Sequence, residues 1–342
     1  MSNWEEIARR SWTGARVTSE TPLAGDASTR RYVRLGLAGG GAPPTAVAMV
    51  LSEPTPPDAP ELPFLNVGRH LASLGLAVPA LYADDDRGSG VLLLEDVGDR
   101  ALAEVLASPE TPPGEVERRL AEVAGMLTVL ATSAPTPDCA AYRRSHDEEL
   151  IRRELDMILT HGLAASDDGP ARSATGDPEA RAALGRLGDR LAAQPRRLMH
   201  RDFHAWNLHV DPGGRLRVFD FQDAMLGPTT YDLASFCTDR DSDHFIDDAR
   251  ERFLLDHFGA ALARAGADLY ADPAVLRRDY YTSVAFRTLR VIGRFRVLAI
   301  EEENRGYLHY IPGMAKQTLR ALDALDDGEL GPVLRARSEY FA

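Results

Sequence analysis

Apolar and polar residues alternate along three early stretches, 15–23, 29–37 and 45–51, a period of two that predicts strands. Residues 24–28 break the first pair. Gly39-Gly40-Gly41 with Pro43 and Pro44 breaks the second, as turns of an antiparallel meander would. A short helix over 3–12 precedes them. Leu62, Leu65, Val67, Leu71 and Leu74 then fall close to helical spacing over 61–75, and 78–83 and 91–94 add two strands. From Asp99 the pattern is mostly helical, over 102–106, 116–131, 147–159 and about 179–193. One β-rich island comes next at 196–199, 208–210 and 216–219, and helices at about 229–238, 245–265, 274–302 and 311–325 fill the rest. The layout predicts an α+β protein with two lobes. Residues 1–95 form a small antiparallel β-rich lobe, 96–342 a larger, mostly helical one, and the hinge lies at 95–98.

Charge and composition narrow what such lobes can do. The 342 residues carry a formal net charge of −13, without the basic footprint that a nucleic-acid backbone requires. No apolar run approaches the roughly 20 residues of a membrane helix. The opening Met1-Ser2-Asn3-Trp4-Glu5-Glu6 has no secretory pattern, and Cys139 and Cys237 stand apart with no CxxC, so the expected compartment is the cytoplasm. All but one of the 39 basic residues are arginine, which confines any lysine chemistry to Lys316.

The densest chemistry lies in His200-Arg201-Asp202-Phe203-His204-Ala205-Trp206-Asn207 and, after a hairpin, Phe219-Asp220-Phe221-Gln222-Asp223. Phosphoryl transfer needs a carboxylate to orient or deprotonate the attacking hydroxyl. It also needs oxygen ligands that hold Mg²⁺ against nucleotide phosphates. Asp202 and Asn207, on one loop, suit a base and an amide ligand. Asp220, at the end of an apolar strand, emerges beside them. An HxD by itself reads as a capped turn; its combination with Asn207, the hairpin and Asp220 points to chemistry.

These residues resemble the catalytic and metal loops of the protein-kinase-like fold. The tail from Asp220 through Gly227, Pro228, Tyr231 and Asp232 is similar to the aminoglycoside-phosphotransferase branch. With Gly25-Asp26-Ala27-Ser28-Thr29-Arg30-Arg31-Tyr32 and Leu93-Leu94-Glu95-Asp96-Val97-Gly98, the chain more closely resembles the anomeric N-acetylmuramate/N-acetylglucosamine kinases of cell-wall recycling. The resemblance implies a bilobal kinase using ATP and Mg²⁺. Asp202 would be the base, Asn207 and Asp220 the metal ligands, and the backbone from Glu95 to Val97 the adenine hinge. Gly25, Asp26 and Ser28 would lie in a turn over the phosphates. The partner would be a small amino sugar, phosphorylated at its anomeric hydroxyl, and neither nucleic acid nor membrane. His200 and Asp232 are expected to brace the loop, and His204 and Asp223 to face the sugar. An aminoglycoside or other small-alcohol phosphotransferase, or a nucleotide-binding pseudokinase, are the alternatives.

One feature of that fold is missing. Its third strand normally carries a lysine paired with a helix glutamate, but here Met49 or Val50 takes the place, and Glu61 is poorly placed as partner. On the second strand Arg31 shares a face with Val33 and Leu35, where a guanidinium needs an anion. Arg31, ahead of Arg30, is therefore expected to hold the ATP phosphates. For an acidic sugar the expected cations are Arg287 and Arg290, on one face with Arg294, unless that face is simply solvated. The helix over 147–159, with Arg152, Arg153 and Glu154, is a second possible wall.

Overall fold

The structure is a computed structural model and describes residues 3–23, 30–163, 176–267, 269–301 and 304–342. It divides into two compact units, Met1–Arg100 with His209–Phe219, and Ala101–Leu208 with Asp220–Ala342.

The first unit is built on an antiparallel sheet ordered β1-β2-β3-β5-β4. Its strands are β1 (Arg16–Leu23), β2 (Arg31–Ala38), β3 (Thr45–Val50), β4 (Leu81–Asp85) and β5 (Val91–Glu95). Alternation sorts two faces. Val33, Leu35, Ala46, Ala48, Val91 and Leu93 cluster with Ile7 and Ala8 of α1 (Asn3–Ser11), while Met49, Leu92 and Leu94 cluster with Leu65 of α2 (Pro63–Ser73). The β2–β3 turn needs glycine. Gly40 has φ +63°, and a Cβ there would lie 2.6 Å from the Thr13 carbonyl oxygen.

The segment His209–Phe219 joins this unit through hydrogen bonds. Val218 N donates to Ala77 O at 2.9 Å, and the buried Arg217 guanidinium bonds Glu95, Asp211 and the Val78 carbonyl. Hydrophobic spacing carries no trace of this attachment.

The second unit is mostly helical. It runs through α3 (Leu102–Ala107), α4 (Pro113–Thr132), α5 (Glu148–Met157), α6 (Pro178–Ala192) and strand β6 (Arg196–Met199). After the hairpin strands β7 (Leu208–Val210) and β8 (Leu216–Val218), β9 (Met225–Pro228) returns antiparallel to β6. Helices α7 (Tyr231–Cys237), α8 (Asp248–Arg264), α9 (Pro273–Glu301), α10 (Ile311–Ala324) and α11 (Leu330–Arg337) complete it. Asp147, Asp177 and Asp247 accept backbone N–H groups at the starts of α5, α6 and α8, which is why those helices begin there. Strand β9 has no counterpart in the sequence reading, which assigns no element between 219 and 229. Its register with β6, Leu198 opposite Leu226, makes it a strand. A Cβ on Gly227 would lie 2.5 Å from Met199 Sδ, so a larger residue there would displace that side chain. Among the described residues no helix is long and apolar enough to cross a membrane.

Candidate active site

Within the second unit, β6 delivers the chain to residue 200, and Asp232, at the start of α7, holds the loop that begins there. Its carboxylate accepts from His200 N at 2.6 Å and Arg201 N at 2.9 Å. Burial pushes the Asp232 carboxyl up to about 6. Those two bonds offset part of that cost and pin a strained loop, for Arg201 has φ 82°. His200 is buried and joins this scaffold, its ring edge-on to Phe203 at 5.6 Å.

Three oxygen-bearing side chains converge on the loop. Asn207 Nδ2 donates to Asp202 O at 2.9 Å and lies 3.4 Å from Asp220 Oδ2, whose other oxygen accepts from Gln222 Nε2 at 2.8 Å. Asp220 sits at φ 58°, a left-handed conformation that Asp tolerates better than most residues. Burial works to raise the Asp202 carboxyl, but Arg290, then His204, Arg201 and His200, outweigh it and hold it below the usual range. It is therefore ionised at neutral pH, as a proton acceptor must be. Among the described residues no group of three or more His, Cys, Asp or Glu is arranged for a metal ion. The adjacent pair Asn207 and Asp220 still fits Mg²⁺, which needs few protein ligands and completes its shell with phosphate oxygens and water.

Behind Asp202 lies a charge cluster gathered from distant segments. Arg290 Nε donates to Glu154 Oε1 at 2.8 Å, and His146 Nε2 lies 2.8 Å from Glu154 Oε2. Arg201 stands 3.6 Å from the same carboxylate, and Tyr231 OH accepts from Arg290 at 3.4 Å. Burial would raise Glu154, yet Arg290 and His146 bring it down to about 2 from an ordinary 4.5. Because the folded-state value lies below the unfolded one, the stabilisation is full above about pH 4.5 and fades as pH falls toward 2. The difference corresponds to about 3 kcal/mol. Glu154→Gln is thus expected to cost about that much at neutral pH and much less near pH 3. Urea unfolding of both proteins at the two pH values checks it. An equal cost at both would show that the charge does not stabilise the fold.

The other expected residues divide into those the structure brings to the site and those it does not. Arg290 does stand beside Asp202. Arg287 is not on a solvated face and is not free for a ligand. It is buried, with NH1 on Thr238 O at 3.0 Å and NH2 on Asp239 Oδ1 at 2.8 Å. Arg294, Arg152 and Arg153 are exposed, whereas Glu154 of the same helix as the last two is buried. Asp223 is half exposed, 3.7 Å from Arg144. His204 lies against Asn207, its Nε2 at 3.3 Å from Nδ2. His146 and Asp239 went unrecognised in the sequence because they belong to no local pattern, and Tyr231 was noted only as part of the tail after Asp220.

In the first unit, Glu95 ends β5 with its carboxylate accepting from Arg217 and from Ala80 N, and Val97 is buried. Gly25, Asp26 and Ser28 lie outside the described residues. Met49, one of the two candidates for the lysine position, is a core residue, clustered with Leu65 of α2, Leu92 and Leu94. Glu61 precedes α2 and pairs with Arg69 and Asn66. Arg31 does lie in register with Val50, on the pleat of Val33 and Leu35, but it is exposed. Water already solvates it, so no buried charge demands an anion there.

A carboxylate held ionised beside an amide–carboxylate pair, in a helical unit that comes after an antiparallel-sheet unit along the chain, is an arrangement that suits a phosphotransferase. The model of the phosphotransferase enzyme family matches residues 19–278, and the chain belongs to that family. It is an ATP-dependent kinase. Two relatives named N-acetylmuramate/N-acetylglucosamine kinase, from Pseudomonas putida and Pseudomonas aeruginosa, are each 30% identical to it. The first aligns over 314 residues, 88% of this chain and 83% of its own, and the second over 302, 85% and 80%. Among solved structures, choline kinase LicA from Streptococcus pneumoniae superposes with a TM-score of 0.54 at 16% identity, covering 95% of this chain and 99% of that one. An aminoglycoside phosphotransferase in complex with gentamicin gives 0.58 at 13%, covering 96% and 97%. At such identities these last two likenesses concern the fold alone.

Proposed function

We propose that this kinase transfers the γ-phosphoryl group of ATP to the anomeric hydroxyl of N-acetylmuramate or N-acetylglucosamine, giving the sugar 1-phosphate. The observation that carries this reading is the 30% identity, along 88% of the chain, to a relative named for those two sugars. Electrostatics favours it over an aminoglycoside. A polycation needs carboxylates around the acceptor, whereas the cations Arg290 and Arg201 bear on Asp202.

In this reading Asp202 orients the C1 hydroxyl and takes its proton as the C1–oxygen bonds to phosphorus and the bridge to ADP breaks. An anomeric hydroxyl is more acidic than an ordinary alcohol, so a carboxylate suffices. Asn207 and Asp220 would hold Mg²⁺, which when bound neutralises charge on the transferring phosphoryl group. On the first unit, the backbone from Glu95 to Val97 is the proposed adenine contact. Gly25, Asp26, Ser28 and Arg31 are the proposed phosphate contacts; Arg31 has no partner among the described residues.

Incubation with Mg·ATP and a panel of amino sugars and aminoglycosides should release ADP with the two N-acetyl sugars, and phosphorus NMR should place the phosphate on C1. Phosphate on another hydroxyl, or turnover with aminoglycosides alone, would replace the proposed acceptor. ATP binding without turnover on any of them would favour the pseudokinase.

A further inference from the structure

An asparagine serves a cation only through its carbonyl oxygen, so something must decide which end of the Asn207 amide faces where. Its Nδ2 has three neighbours: Asp202 O at 2.9 Å, Asp220 Oδ2 at 3.4 Å and His204 Nε2 at 3.3 Å. The Asp202 carbonyl, the nearest of them, can only accept a hydrogen bond. The amino group must therefore face this way, and an N–H on the imidazole nitrogen beside it would meet it donor against donor. A neutral imidazole that accepts at Nε2 carries its proton on Nδ1.

That proton needs an acceptor. His204 Nδ1 is buried and has no hydrogen-bond partner, and the same is true of Asp239 Oδ2. The two atoms are 3.7 Å apart. Asp239 is held from behind, its Oδ1 taking Arg287 NH2 at 2.8 Å, while Arg287 NH1 is fixed on Thr238 O at 3.0 Å. Two buried polar atoms without other hydrogen-bond partners thus face each other, on a carboxylate that a buried guanidinium holds in place.

We propose that Asp239, clamped by Arg287, is a positioning residue that sets the Nδ1–H tautomer of His204 and, through it, turns the Asn207 carbonyl oxygen outward as a ligand. Both ring nitrogens of His204 are then engaged by protein, so His204 supports the metal pair and does not face the sugar. Arg287 likewise acts from the interior, two residues removed from Asn207. The effect on metal binding rests on the reading of Asn207 as a ligand; the tautomer does not.

The test is Asp239→Asn. The amide keeps the shape and an oxygen for Arg287 but presents an NH₂ to Nδ1. Nδ1 must then accept, and the proton moves to Nε2, donor against donor with Asn207. Nitrogen-15 NMR of the full chain at alkaline pH, with the His204 signals assigned by their loss in His204→Gln, should show Nδ1–H in the unsubstituted protein and Nε2–H in Asp239→Asn. Mn²⁺ binding in the presence of a non-hydrolysable ATP analogue, read by electron paramagnetic resonance, should weaken about 10-fold in Asp239→Asn, within the range of ligand-orienting partners. In a His204→Gln background, adding Asp239→Asn should cost no further Mn²⁺ affinity, and a further loss there would overturn the route through His204. An Nε2–H tautomer in the unsubstituted protein, or an unchanged tautomer in Asp239→Asn, overturns the proposal. If the unsubstituted protein takes up no Mn²⁺ with the analogue, the metal reading of Asn207 and Asp220 falls, and the NMR result still decides the role of Asp239.

Discussion

Asp202→Asn is expected to lower kcat by about 10³-fold, inside the range of about 10² to 10⁴ that general base catalysis supplies. The carboxylate is held below its usual range because Arg290, His204, Arg201 and His200 together outweigh its burial. Asparagine keeps the size and the backbone oxygen that Asn207 Nδ2 uses, and loses only the capacity to take a proton. Arg290 keeps Glu154 as partner, so the cluster behind the base survives the substitution. The affinity for ATP, read by calorimetry, should stay nearly unchanged while turnover collapses. A variant with near-normal kcat would remove Asp202 from the proton-transfer role.

Asp220→Asn is expected to cut turnover by at least about 10²-fold, since a metal contact to the transferring group contributes several kcal/mol. It should also raise the Mg²⁺ concentration needed for half-maximal rate. Asparagine is the informative replacement because residue 220 has φ 58°, which Asn adopts with little strain and alanine does not. The backbone is thereby preserved and only the charge is lost. Titrating rate against Mg²⁺ at saturating ATP separates the two effects. An unchanged Mg²⁺ dependence would mean that Asp220 is no ligand.

Much of this was legible in the chain. The strands β1 to β5 and the helix between them follow from alternation and glycine punctuation, because a half-buried strand and an amphipathic helix write their periods into the sequence. Asp202, Asn207 and Asp220 were legible for a similar reason. The loop and the hairpin that bring them together are local, spanning residues 202–220.

The acceptor side was not. Arg287, Arg290 and Arg294 are equivalent in spacing, yet one is sealed on Asp239, one neutralises Glu154 and one is exposed. Helical spacing fixes which residues share a face, whereas burial of that face depends on what packs against it. The lysine position is a second case. The sequence showed an apolar residue there, and only packing showed Met49 buried in an apolar cluster with Leu65, Leu92 and Leu94.

By itself, then, the sequence determined the elements, the class of chemistry and the grouping of Asp202, Asn207 and Asp220, since these depend on periodicity and on spacing within short stretches. Tertiary structure decided which charges stand behind those side chains. Arg290 finds Glu154 136 residues away, and Asp239 meets His204 from a different helix end. Such pairings are selected by the cost of burying a charge unpaired, a three-dimensional condition that leaves no repeat in the chain.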